Sequence, residues 1–100
     1  MDESKIRSRQ TDVLMKAVLC LKDENAAYSF FEDLCTIPEI RSMSQRLEVA
    51  VLLRKKATYQ EIVRQTGAST ATISRVNRCL MYGLDGYNHV LEALENDGVI

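Results

Sequence analysis

The stretch Thr58–Arg78, TYQEIVRQTGASTATISRVNR, decides how this chain is read. It predicts two short helices joined by a tight turn. Thr58 and Glu61 have the spacing of a capping box, where a hydroxyl takes an orphan backbone N–H and a carboxylate reaches back. Gly67 supplies the left-handed residue that ends the first helix, and Ser69 caps the second. Ile62 and Val63 are expected to face inward from the first helix. Ala68, Ile73 and Val76 should meet them and fix a steep angle between the pair, as in a helix-turn-helix.

The second helix carries an unusual load. Four of the six residues from Ser69 to Ser74 are Ser or Thr, which are mediocre helix formers. Something outside the helix has to favour them. Small hydroxyl side chains let a helix start enter a major groove, where Thr methyls and Ala meet thymine methyls and hydroxyls bond base edges or phosphates. Ser69, Thr70, Ala71, Thr72 and Ser74 supply that chemistry, and Arg75 and Arg78 can reach guanine or phosphate. The helix N-terminus adds free N–H groups and a positive dipole end.

Charge distribution agrees, although bulk charge does not. The formal net charge is −1. Residues 54–78 nevertheless hold Arg54, Lys55, Lys56, Arg64, Arg75 and Arg78 against Glu61 alone, a local +5. Residues 79–100 carry four acidic and no basic side chains. A basic segment in an otherwise acidic chain is the footprint of a nucleic-acid binder. Charge alone is equally compatible with a solvated basic helix face.

Around this stretch the chain reads as all-α. One proline and four glycines in 100 residues leave few breaks, and no long polar–apolar alternation suggests strands. We expect a single domain with a loose N-terminal arm over residues 1–10. A first helix should begin at Thr11 or Asp12 and bury Val13, Leu14, Ala17, Val18 and Leu21. A second starts at Asp23 and packs Ala27, Phe30, Phe31 and Leu34. Thr36, Pro38 and Glu39 open a third and longest helix. Its segment Leu47–Leu53, LEVAVLL, is apolar almost all round, which argues for a dimer with this helix central. After the 58–78 head, Asp85 is expected to cap a sixth helix through Val90, Leu91 and Leu94, with a frayed end over residues 96–100. Residues 11–57 and 84–96 would form the dimer core.

Three cysteines without a Cys-x-x-Cys pair read as buried free thiols in a reducing cytoplasm. No signal peptide or bilayer-length apolar run is present. An enzyme is not expected. His89 is the sole histidine, no His/Cys cluster has metal-ligand spacing, and there is no phosphate-binding glycine loop. We therefore expect no metal and no cofactor.

The segments FFEDLCTIPEI, SQRLEVAVLLRK, TYQEI and, most specifically, TGASTATISRVNRCLMYG resemble the Trp repressor superfamily, in particular its YerC/YecD-type branch of Trp-repressor-like bacterial proteins. The resemblance is strong over about half the chain. It implies a six-helix bundle, an intertwined homodimer and two helix-turn-helix heads on a palindromic operator. It also implies base contacts from Thr70, Ala71 and Ser74 and a DNA contact from Gln60. Residues and resemblance together nominate Thr58, Gln60, Arg64, Ser69, Thr70, Ala71, Thr72, Ser74, Arg75 and Arg78 as the DNA-binding set.

The family's tryptophan site does not carry over. Where the Trp repressor has Arg-Gly-Ser-Asn-Ser, this chain has Arg75-Val76-Asn77-Arg78-Cys79. Val76 puts a branched side chain where glycine leaves room for an indole, and Cys79 replaces a hydroxyl. The spacing between Arg46 and the head differs by one residue, so Arg46 is no secure match to the other tryptophan-contacting arginine. The expectation is a dimeric, sequence-specific DNA-binding transcriptional regulator, a repressor by resemblance, without tryptophan as corepressor. The alternative is a protein-interaction module that uses the same head as a docking surface.

Overall fold

The computed structural model describes residues 5–100. Among these residues there are six helices and no strand: α1 (Arg9–Leu19), α2 (Glu24–Leu34), α3 (Ile37–Arg54), α4 (Tyr59–Thr66), α5 (Thr70–Tyr82) and α6 (Gly86–Asn96). The all-α reading holds. The chain divides within α3 into two units, Met1–Ile40 and Arg41–Ile100.

In the first unit, α1 begins at Arg9, ahead of the expected Thr11 or Asp12. The cause is a cap that sequence reading passed over. Ser8 Oγ accepts from the Thr11 N–H at 3.1 Å, and Thr11 Oγ1 accepts from the Ser8 N–H at 2.8 Å. Thr11 thus does at N3 what Glu does in a capping box. The helix takes Arg9 and Gln10 from the expected arm, and the arm's first four residues lie outside the described ones. Asp23 caps α2 as expected, accepting from the Ala26 N–H at 2.8 Å. Neither α1 nor α2 contains a buried residue. Phe30 and Phe31 meet edge to face, with ring centroids 5.6 Å apart, and both stay half-buried.

The start of α3 follows its sequence signature fully. Thr36 Oγ1 accepts from the Glu39 N–H at 3.2 Å, and Glu39 Oε1 accepts from the Thr36 N–H at 2.8 Å. Those Thr36 hydrogen bonds hold the Glu39 carboxyl below its ordinary pKa.

The other end of α3 is less conventional. Lys56 takes a left-handed φ of 68°. Its N–H donates to the Leu53 carbonyl at 3.0 Å, and the Ala57 N–H donates to the Leu52 carbonyl at 3.0 Å. This is a Schellman closure, normally made with glycine. No glycine flags it in the sequence.

The second unit is built on seven buried apolar residues: Val49, Ala50, Ile62, Ala68, Ile73, Val76 and Leu91. Leu47, Val51, Leu52 and Leu53 are half-buried against them. Of the apolar α3 segment, therefore, only Val49 and Ala50 find full cover within the chain.

Several expectations need correction here. Val63 is 38% exposed rather than inward-facing. On a helix of eight residues, two consecutive positions point about 100° apart, and Ile62 takes the core. Val90 is likewise exposed, leaving Leu91 as the buried residue of α6. Asp85 precedes α6 but makes no side-chain cap bond. It sits at φ 65°, and its Oδ1 instead accepts from Asn88 Nδ2 at 3.1 Å. The chain end does not fray either. Val99 N–H donates to the Leu94 carbonyl at 2.9 Å, and Ile100 packs on the core. The cysteines are free, as expected, yet none is buried: Cys20 and Cys79 are exposed and Cys35 is intermediate.

Two contacts tie the ends of this unit together. Arg54 forms a two-pronged pair with Glu95, Nε to Oε2 at 2.8 Å and Nη2 to Oε1 at 3.0 Å. Asn88 Nδ2 donates to the Leu80 carbonyl at 3.0 Å, linking α6 to the last turn of α5. That turn ends at Gly83, where a Cβ would lie 2.5 Å from the Cys79 carbonyl oxygen.

Two predictions follow from this geometry. Lys56→Gly should raise stability by about 1 kcal/mol in chemical denaturation, since the left-handed conformation costs a side-chain-bearing residue roughly that much. The Arg54 guanidinium holds the Glu95 carboxyl below its ordinary 4.5. A depressed carboxyl stabilises above its unfolded pKa, and that contribution disappears as pH falls through the folded value. The melting-temperature gap between wild type and Glu95→Gln should therefore be present at about pH 7 and close well below about pH 4.

Candidate nucleic-acid interface

The candidate interface lies on α4, α5 and the turn between them. Thr58 caps α4, its Oγ1 accepting from the Glu61 N–H at 3.2 Å. Gly67 ends that helix at φ 72°, and its N–H donates to the Val63 carbonyl at 2.8 Å. Open space around the Gly67 Cβ position shows that the backbone angle, not crowding, calls for glycine. Ser69 then caps α5, accepting from the Thr72 N–H at 3.1 Å.

Thr66 and Gln45 are contributors that sequence reasoning missed. The Thr66 hydroxyl donates to the Ile62 carbonyl at 2.7 Å and accepts from the Ala68 N–H at 3.1 Å. One side chain thereby serves both sides of the turn. From the middle of α3, Gln45 Nε2 donates to the Thr66 carbonyl at 3.1 Å. No spacing rule foretells a bond across 21 residues.

Burial sorts the nominated residues. Ile62, Ala68, Ile73 and Val76 point into the core. Thr58, Gln60, Arg64, Ser69, Thr70, Ala71, Arg75 and Arg78 are exposed, while Thr72 and Ser74 are half-buried. Ala71, Arg75 and Arg78 recur at i, i+4 and i+7, so they share a face of α5 turned away from Ile73 and Val76. The Ser69 and Thr72 hydroxyls hydrogen-bond each other at 3.1 Å. Both therefore have a structural job that competes with any outside partner. Arg75 and Arg78 have open solvent around them beside a shallow hollow of about 250 Å³, which Cys79, Tyr82 and Gly83 also line.

The arrangement is a short two-helix unit whose buried side is aliphatic and whose outer side is small, hydroxylic and cationic. Comparison with known proteins then gives its lineage. The family model described as Trp repressor protein matches residues 9–95. The chain belongs to the Trp repressor family. The uncharacterized protein YerC of Bacillus subtilis strain 168 is 53% identical over 95 residues, spanning 95% of this chain and 91% of that protein. The crystal structure of a TrpR-like protein from Eubacterium eligens is 57% identical, with a TM-score of 0.86 over 91% of this chain and 94% of that one. A candidate Trp repressor structure from Staphylococcus aureus is 45% identical, with a TM-score of 0.87 over 95% of each chain.

Val76 is 2% exposed and belongs to the core. Cys79, not a hydroxyl, stands at the exposed position one turn beyond Arg75. Among the described residues no three His, Cys, Asp or Glu side chains are grouped to hold a metal ion, and no helix is long and apolar enough to cross a membrane.

Two substitutions gauge how firmly the unit is held. Ser69→Ala, which removes the α5 cap, should cost ~1 kcal/mol, and Ser69→Gly only a few tenths. Ile73→Ala should cost ~2–5 kcal/mol, as expected for a buried aliphatic side chain in a small core. Urea titration followed by circular dichroism would read both.

Proposed function

We propose that this protein is a sequence-specific DNA-binding transcriptional regulator that grips a palindromic operator as a homodimer from the bacterial cytoplasm. The observation that carries this reading is the exposed face of α5, where Thr70, Ala71, Arg75 and Arg78 stand over a core of Ile73 and Val76. Thr70, Ala71 and Ser74 contact base edges at the start of the recognition helix. Gln60 reaches DNA from α4. Arg64, Arg75 and Arg78 neutralise phosphates or read guanine, and Thr58, Ser69 and Thr72 bracket the two helix starts near the backbone. The helix-turn-helix is Thr58–Arg78, inside a single domain of 100 residues. The family's role in repression makes repression the expected sense of control.

A second copy is called for by what one chain leaves uncovered. Helices α1 and α2 bury no residue, and Leu19 and Ile37 are 82% and 66% exposed. Leu47, Val51, Leu52 and Leu53 of α3 are only partly covered. Exposed apolar side chains in such number on so small a chain are a standing cost, which a shared dimer core removes. Residues 11–57 and 84–96 form that core. Tryptophan is not the corepressor: Val76 fills interior space and Cys79 cannot replace the hydroxyl that the family uses.

Selection of bound fragments from genomic DNA by purified protein tests the reading and returns the operator. Enrichment of a palindrome supports it; no enrichment sinks it. With that operator, affinity should fall by ~10³ between about 50 and 200 mM salt if around six phosphates are contacted. A protein-docking head would bind no duplex at any salt. Thr70→Ala should shift base preference by ~1–3 kcal/mol at one operator position, whereas Arg64→Ala should weaken all duplexes alike. Sedimentation at micromolar concentration should show a dimer, and a monomer would refute the assembly.

A further inference from the structure

The bond from Gln45 to the Thr66 carbonyl joins the helix at the centre of the second unit to the turn that aims α5. We infer that Gln45 is a positioning residue for operator recognition, setting the angle at which α5 is presented and hence the half-site spacing that the dimer accepts. This rests on the reading of Thr58–Arg78 as a DNA-binding head.

Three observations carry it. First, Gln45 stands one turn before Val49 on α3, so the face that delivers Val49 to the core also delivers the Gln45 amide to the turn. Second, the acceptor is the carbonyl of the last residue of α4, one of the groups a helix end leaves without an internal partner. Gln45 satisfies it from a different helix, so the bond registers one element against another. Third, the turn beyond that carbonyl is stiff. Thr66 Oγ1 holds both the Ile62 carbonyl and the Ala68 N–H, the Gly67 N–H is bonded to Val63, and Ala68 is 2% exposed. A displacement at Thr66 is therefore passed to Ser69 and Thr70 rather than absorbed on the way. Beside it, Val49 and Ala50 of α3 share an aliphatic core with α4 and α5, and such burial resists separation but has little directional preference. The Gln45 amide supplies a direction.

The consequence falls on geometry more than on affinity. A head free to rock by a few degrees still meets phosphates, so non-specific binding persists. What it loses is the ability to reject half-sites set at the wrong separation, since that separation is fixed by the rigid placement of both recognition helices.

The test uses the full-length protein and the palindrome it enriches from a random-sequence duplex library. Affinities are measured for that palindrome and for versions with the half-sites one base pair closer or further apart. Gln45→Met keeps the length of the side chain and removes the donor. It should lower discrimination between spacings by about fivefold, the order that one neutral hydrogen bond carries, with binding to random duplex unchanged. Gln45→Lys restores a donor of sufficient reach and should recover most of the discrimination. Gln45→Leu replaces Gln45→Met if circular dichroism shows the latter unfolded. Unaltered spacing preference in the donorless variant overturns the inference while leaving the DNA-binding reading intact. Equal loss in the Met and Lys variants overturns it too, because packing rather than donation would then be at work. A wild-type protein that binds no duplex, or binds without spacing preference, removes the underlying reading and this inference with it.

Discussion

The shared burial of Val49 and Ala50 from α3 with Ile62, Ala68, Ile73 and Val76 from the α4–α5 unit is the constraint on which the second unit depends. These side chains are modest in size. A core of such residues has few spare contacts, so each must sit where helical phase puts it. That requirement explains the outer surface as well as the inner one. With Ile73 and Val76 committed inward, Ala71, Arg75 and Arg78 have no choice but to face away. The polar face of α5 is thus a consequence of its apolar face, and the hydrogen bonds of Thr66 and Ser69 fix where that helix begins.

Much of this was legible in the sequence because the relevant signals are local. Capping residues at Thr36, Thr58 and Ser69 and the left-handed Gly67 mark helix ends through bonds that span only a few residues. Helical phase likewise identified Ile62, Ile73 and Val76. Where reading failed, two local signals competed or none existed. Ser8 and Thr11 make a cap from two hydroxyls, less distinctive than Ser paired with Glu. Lys56 closes α3 in a conformation usually betrayed by glycine. Gln45 and Thr66 meet only because the fold brings them together. The cysteines misled for a different reason: an apolar residue type predicts burial on average, and Cys20 and Cys79 occupy positions the single chain leaves open.

The electrostatic picture is similarly divided. Near-zero net charge conceals a basic head beside an acidic terminal segment. Arg54, the first basic residue of the head region, is drawn to Glu95 from that segment and is less available to an outside anion. Of the cations that remain exposed, Lys55 and Lys56 lie just beyond α3, and Arg64, Arg75 and Arg78 lie within α4 and α5. Segment charge therefore overstates the field offered to a partner. Side-chain pairing corrects it.

Gly83 gives α5 an asymmetry of a different kind. At its carboxyl end the helix closes so tightly on the Cys79 carbonyl that any side chain larger than hydrogen would force the backbone apart. At its amino end, exposed Thr70 and Ala71 touch no such limit. A lineage that diversifies this protein thus has an adaptable tip on an inflexible stem. Packing leaves residue choice at the tip to whatever it meets outside, whereas the stem admits one residue and fixes how long the helix can be.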